Sequence, residues 1–140
     1  MAQRMIKLFL RISIAAGFLS AVADRFGWWS ETVSVWGNWN NFLGYTRLIN
    51  PWFPGGLISV VGAIATGAEI FFALFLLMGL KTELVARLSG FLLLAFALSM
   101  TFSTGIKGAF DYSVFSASAG AFALSLMKEK YLEVDSLISK

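Results

Sequence analysis

A single carboxylate lies in the middle of a long apolar segment. Glu69 is the only charge among the twenty-three residues from Leu57 to Gly79, in the stretch GAIATGAEIFFALFLLMG that begins at Gly62. At 1.5 Å per residue a helix of this length spans about 35 Å, enough to cross a hydrocarbon core of about 30 Å. A charge at its centre costs roughly 2.5–3.5 kcal/mol on insertion scales. An intramembrane glutamate is therefore a candidate for ligand binding or proton relay.

Arg11 is the predicted partner of Glu69, because it is the only basic residue placed well inside an apolar run. On a helix, Glu69 shares one face with Gly62, Thr66 and Ala73, so its carboxylate is expected to point into a helix bundle. Thr66 is a candidate supporting hydroxyl. The pair has two interpretations: it fixes the register of the helices, or it forms a ligand or proton site.

A second polar cluster is predicted at the opposite, outer side. Asp24 and Arg25 end the first apolar run, and Lys107 and Asp111 bracket the start of the last one. Such charges are usually solvated at a helix end. Two acids and two bases would also suffice to close the outer mouth of a cavity.

Composition indicates an integral membrane protein. The chain is 58% hydrophobic and 14% charged, whereas a soluble domain is about 45–50% apolar and about 25% charged. The lipid bilayer is therefore its expected surrounding, and the basic residues at the ends of apolar runs argue against nucleic-acid binding. Without cysteine or histidine the chain lacks the usual metal and haem ligands, so no metal site is predicted. A redox cofactor would have to be bound non-covalently or by a partner.

Four apolar runs predict a single all-α domain over residues 1–140, a bundle of four transmembrane helices. The runs are Met5–Ala23, Leu57–Gly79, Leu84–Phe102 and Ala109–Met127. The first run ends in AVA and also resembles a cleavable secretory signal, although Arg11 interrupts its apolar core and favours a retained helix.

The basic residues predict the orientation of the bundle. Seven flank one side and three the other, so the positive-inside rule places both termini in the cytoplasm, in a cell (inner) membrane. The first set is Arg4, Lys7, Lys81, Arg87, Lys128, Lys130 and Lys140, and the second is Arg25, Arg47 and Lys107.

Small residues at four-residue spacing predict where the helices pack closely. The sets are Ser13, Gly17 and Ala21 in the first run, Ser59, Ala63 and Gly67 in the second, and Ser113, Ala117, Ala121 and Ser125 in the fourth.

All five tryptophans lie between the first and second runs. In VSVWGNWNNFLGYTRLINPW, aromatic residues recur at three- and four-residue spacing. This pattern predicts a short amphipathic helix in the outer membrane interface that ends at Asn50-Pro51. The aromatic segment is either an anchor or a lid over a cavity that holds a flat, apolar ligand, with Trp36, Trp39, Tyr45 and Trp52 as the lid residues.

The order of these motifs resembles the DoxX family of small four-helix membrane proteins. The resemblance begins with Arg11, Gly17 and the charged ADRFG at 23–27, continues through AEIFFALFLLMGLKTELVA, and closes with KYLEVDSL after the last run. It covers essentially the whole chain, although the tryptophan-rich loop is longer than the family's commoner connection.

The resemblance implies a redox accessory role, because relatives include a subunit of an archaeal thiosulfate:quinone oxidoreductase. It implies a quinone-linked accessory subunit rather than a self-sufficient enzyme, with a soluble or membrane oxidoreductase subunit as partner. Glu69 and Arg11 would contact the oxygens of a non-covalently bound quinone or relay a proton. Two alternatives remain, a non-enzymatic scaffold and a small-molecule or proton-coupled transporter. A homo-oligomer is compatible with each.

Overall fold

Seven α-helices and one 3₁₀ turn make up the architecture of residues 1–138, the part of the chain that the computed structural model describes. They are α1 (Ala2–Arg25), α2 (Trp39–Ile49), the 3₁₀ turn Gly55–Leu57, α3 (Ile58–Met78), α4 (Thr82–Ser103), α5 (Ile106–Asp111), α6 (Val114–Ser125) and α7 (Asp135–Ile138). The all-α prediction is confirmed. Three of the helices, α1, α3 and α4, are long and apolar enough to cross a membrane, and α6 is a shorter apolar helix.

The core joins α1, α3, α4 and α6 through small and branched side chains. Ala15 and Phe18 of α1 pack in one buried cluster with Leu76 of α3, Ala86 of α4 and Leu124 of α6. The start of α1 lies beside the end of α3, so these two helices are antiparallel.

A left-handed glycine makes the tight turn between α3 and α4. Gly79 has φ +68°, and a Cβ at this position would lie 2.6 Å from the Arg11 Nη2 atom and from the Glu133 Cα atom. Glycine is therefore required both for the backbone conformation and for the close approach of these neighbours.

The predicted fourth helix, Ala109–Met127, is not continuous, and this part of the prediction is wrong. Tyr112 and Ser113 separate α5 from α6, and Ser113 has a left-handed φ of +55°. The break allows Ala109 to pack in a second buried cluster with Ile49, Ala97 and Met100. Helix α6 packs along α4, and there the Ser118 hydroxyl donates to the Gly90 carbonyl at 2.8 Å.

The small-residue stripes predict helix packing only in part. Ala63 and Gly67 of α3 are exposed, and the buried face of that helix instead carries Glu69. Helix α6 lies close to α4 at Gly90, where a Cβ would lie 2.9 Å from the Phe122 ring. Ser13 and Gly17 of α1 are also exposed rather than packed.

Both ends of the described chain meet at one end of the bundle. Arg4 forms an ion pair with Glu129 at 3.0 Å, and Lys128 pairs with Glu83 at the start of α4 at 2.5 Å. The Asp135 carboxylate accepts from two main-chain amides at the N-terminus of α4. Lys140, one of the basic residues used for the orientation, lies outside the described residues.

Helix α2 closes the opposite end. The Asn38 side chain caps it by accepting from the Asn41 amide at 2.8 Å, and the helix ends with Asn50 as its C-cap, where the Asn50-Pro51 pair predicts the end. It lies so close to α3 that a Cβ on Gly62 would come within 2.7 Å of the Leu43 side chain.

Candidate functional site

Glu69 is paired with Arg25 and not with Arg11, so the predicted partner is wrong. Arg25 Nη1 donates to Glu69 Oε2, and it also lies 2.7 Å from Thr66 Oγ1. Both charged side chains are only 3% exposed. Thr66 donates in turn to the Gly62 carbonyl at 2.8 Å. The predicted buried face of Glu69 is confirmed, and the predicted support by Thr66 is present, although it acts on a different arginine.

Aromatic rings of α2 and of the loop between α1 and α2 cover the Arg25 guanidinium. Its central carbon lies 4.0 Å from the Phe42 ring centroid and 5.4 Å from that of Trp36. Such cation–π contacts are worth about 2 kcal/mol when desolvated. Arg25 is the last residue of α1, where a charged side chain would usually be solvated. Here its side chain lies inside the bundle, because the two rings shield it from water.

Arg11 binds main-chain carbonyls at the other end of the bundle. Two of them belong to Leu76 and Leu77 in the last turn of α3, at 2.9 and 3.0 Å. The Leu76 carbonyl also accepts from the Gly79 amide at 3.2 Å. Leu76 is seven residues beyond Glu69, which corresponds to about 10 Å along the helix axis. The other two carbonyls, both at 3.0 Å, are those of Tyr131 and Leu132.

A buried charge cluster around Arg11 is absent from the sequence prediction. The Glu133 carboxylate lies 2.8 Å from Lys7 Nζ and 3.7 Å from Arg11 Nη1, and all three side chains are 1–2% exposed. The only sequence signal for it is the polar KYLEVDSL stretch, which hydropathy alone assigns to solvent.

The predicted outer cluster of Asp24, Arg25, Lys107 and Asp111 does not form. Asp24 accepts from the Ser34 hydroxyl and, at 2.9 and 3.0 Å, from the amides of Val35 and Trp36, so it fixes the loop between α1 and α2. Lys107 and Asp111 form an exposed pair one turn apart on α5, at 2.6 Å. Within residues 1–138, no ion pair links the two groups, because the ends of α1 and α5 make separate local contacts.

A cavity of about 1110 Å³ lies between α1, α2, α3, α4 and α6. Ligand pockets are usually about 300–1,000 Å³, so this one has room for a complete small molecule. Polar groups line one end, and aliphatic side chains line the other. The polar-end residues are Asp24, Arg25, Trp36, Tyr45, Asn50 and Glu69, and those of the apolar end include Leu10, Ile14, Leu92 and Leu93.

Three of the four proposed lid residues line this cavity. They are Trp36, Tyr45 and Trp52. Trp39 does not line it, because its ring is stacked on Phe26 with centroids 6.1 Å apart. The aromatic segment is thus both a wall of the cavity and a packed layer behind that wall.

Two hydrogen-bond donors at the polar end have no acceptor among the described residues. They are Arg25 Nε and Trp36 Nε1, and both are buried. Burial also raises the pKa of the Tyr45 phenol, which therefore keeps its proton at neutral pH and can act as a third donor. Buried donors without a partner cost about 1–3 kcal/mol each. A ligand that offers acceptor oxygens and an apolar body would suit this end of the cavity.

The described residues contain no group of three or more His, Cys, Asp or Glu side chains that could hold a metal ion. No protein-family model, curated protein or solved structure matches the chain at a significant level.

Proposed function

We propose that this chain is a DoxX-like membrane protein with four spans that serves as a quinone-linked redox accessory subunit. The observation that carries the proposal is the large apolar cavity with the buried Arg25–Glu69 pair at its polar end. A pair that only fixed helix register would need no cavity beside it. The ion pair and the cavity together favour a ligand site over a scaffold.

The fourth span consists of α5 and α6 together. The 6 residues of α5 and the 12 of α6 correspond to about 27 Å of helix in total, close to the thickness of a hydrocarbon core of about 30 Å. Four crossings agree with the meeting of both described chain ends at one end of the bundle. The basic residues near that end favour a cytoplasmic location for it, in a cell (inner) membrane.

The polar end fits the head of a quinone. The two carbonyl oxygens of a quinone are hydrogen-bond acceptors, and Arg25 Nε and Trp36 Nε1 are buried donors that have no acceptor among residues 1–138. Glu69 keeps Arg25 in place and carries a carboxylate that can hold a proton beside the cavity. A bound quinone would supply the electron-accepting chemistry. The chain has no cysteine or histidine, so electrons would come from a partner oxidoreductase.

Two matched tryptophan variants test the proposal. Trp36→Phe keeps an aromatic ring against Arg25 but removes the indole donor, whereas Trp28→Phe changes a tryptophan that is 77% exposed and does not line the cavity. We expect wild-type protein in lipid nanodiscs to bind a water-soluble quinone analogue, measured by quenching of tryptophan fluorescence. Loss of one hydrogen bond should weaken binding roughly two- to twelvefold in Trp36→Phe.

Trp28→Phe is the control for this test. Trp28→Phe should bind as the wild type does. Absence of saturable quinone binding to the wild-type protein would reject the proposal, as would equal effects of the two substitutions.

A further inference from the structure

Small residues of α1 and α6, most of them exposed, border one side of the cavity. Its lining there consists of small residues on the two helices, Ser13 and Gly17 on α1 and Ser116 and Gly120 on α6. A Cβ on Gly17 would meet no atom within 4 Å, and one on Gly120 would meet only the Leu10 side chain, at 3.6 Å. By contrast, α6 and α4 are in tight contact. Helices α1 and α6 thus meet at Leu10 and Gly120 and leave an open groove at Gly17.

The groove is long and changes in polarity along its length. On α1 the cavity lining extends from Leu10 to Arg25, which corresponds to about 22 Å of helix. The part near Leu10 is aliphatic, and the charges lie at the far end, where the Arg25 side chain is 3% exposed and its Nε lacks an acceptor among residues 1–138. A quinone ring would occupy only this polar end, so the remaining volume suits an extended apolar chain.

We propose that the α1–α6 groove receives the polyprenyl tail of a quinone that reaches the cavity sideways from the bilayer, with its head directed to Arg25. The proposal deepens the function proposed above and rests on it. Apolar tails stay within the hydrocarbon layer, so a lateral opening allows binding without moving the tail through water. A helix of a second copy would cover only the mouth of the groove, whereas a tail can follow it inward to Leu92 and Leu93 of α4.

Glycine substitutions test the tail without touching the head site. Gly17→Leu and Gly120→Leu place a side chain in the groove, and neither residue contacts Arg25 or Glu69 among the described hydrogen bonds and ion pairs. Gly67→Leu is the matched control, because Gly67 is exposed on α3, has no atom within 4 Å of a Cβ, and does not line the cavity. Circular dichroism and gel filtration in detergent verify that each variant is folded, and Ser13→Leu provides a second groove variant on α1.

Two quinones with the same head provide the readout, one with a long polyprenyl tail and one without a tail. In nanodiscs, Gly17→Leu and Gly120→Leu should weaken binding of the long-tailed quinone by about tenfold or more. The reason is that each leucine side chain occupies groove volume that the tail would fill, and one methylene in an apolar pocket already changes affinity by about tenfold. The tailless quinone should bind all variants within about twofold of the wild type, and Gly67→Leu should change neither affinity.

The possible outcomes separate this inference from the proposed function. If the wild type binds both quinones but the groove variants do not discriminate between them, the tail site is rejected and the head site stands. If the wild type binds neither quinone, the proposed function fails and the tail site fails with it. Displacement of the long-tailed quinone by excess phosphatidylglycerol would show a general acyl-chain groove and reject the polyprenyl assignment. A dimer that only the groove variants disrupt, with unchanged binding, would assign the groove to a second copy and reject the tail site.

Discussion

The Arg25–Glu69 pair should behave as one energetic unit. Arg25→Met leaves a carboxylate that is 3% exposed without its cation, and breaking a buried pair in this way costs about 3–5 kcal/mol. It also removes the two cation–π contacts with Phe42 and Trp36. Glu69→Gln keeps an acceptor for Arg25 Nη1 but leaves the buried guanidinium without a counter-charge, which costs up to about 3–5 kcal/mol. The double variant has no stranded charge and should regain much of the stability.

A second cycle with Arg11→Met provides the control. Arg11 donates to four main-chain carbonyls and shares no hydrogen-bond partner with Glu69. Arg11→Met by itself should lower the free energy of unfolding. This loss should add to that of Glu69→Gln to within about 0.5 kcal/mol, whereas substitutions of groups in contact show coupling energies of about 0.5–3 kcal/mol.

Tryptophan fluorescence during reversible unfolding in mixed micelles gives the free energy of unfolding of each variant in both cycles. It is a suitable signal because all five tryptophans lie between residues 28 and 52, in the region that covers the pair. A coupling energy for Arg25 and Glu69 no larger than that for Arg11 and Glu69 would refute the reasoning.

Three further predictions follow from local contacts. Asp24→Asn weakens the hydrogen bonds that fix the α1–α2 loop and should lower the free energy of unfolding by about 1–3 kcal/mol. A glutamate-specific protease should then cleave faster at Glu31. An unchanged cleavage rate, or an equal effect of Asp111→Asn in the exposed pair, would contradict this prediction. Asp135→Ala removes the acceptor for the Lys81 and Thr82 amides at 2.6 and 2.8 Å and should cost about 0.5–2 kcal/mol, seen as faster hydrogen exchange confined to the first turn of α4. Reporter fusions within residues 30–50 and at the C-terminus should report opposite sides of the membrane, and a shared side would exclude four spans.

The parts of the fold that sequence predicts are those that depend on local periodicity. The inward face of Glu69 follows from the helical repeat, and the apolar runs locate α1, α3 and α4 to within a few residues of their observed ends. The break at Ser113 has no such signal, because no glycine or proline marks it and a single left-handed residue leaves the hydropathy unchanged.

The partner of Glu69 depends on tertiary contacts. Counting residues from the predicted membrane edges places Arg25 in the outer solvent and Arg11 inside the bundle. The count does not include the fold of α2, whose Phe42 ring shields Arg25 from water. Nor does it include the carbonyls at the end of α3, which occupy Arg11. Sequence alone does not show which groups the three buried cations of α1 bind, because later elements of the chain supply those partners.

The burial of these cations determines the order in which the chain can assemble. Arg25 binds a carboxylate 44 positions later, and Arg11 and Lys7 bind carbonyls 120 and more positions later. While α1 leaves the ribosome it therefore carries three cations whose partners have not yet been synthesised, and a charge alone in hydrocarbon is costly. We therefore expect the position of the first helix to depend on later elements. The residues around Glu133 complete the contacts of Lys7 and Arg11, so a deletion that removes them should destabilise the first helix as well as the end of the chain.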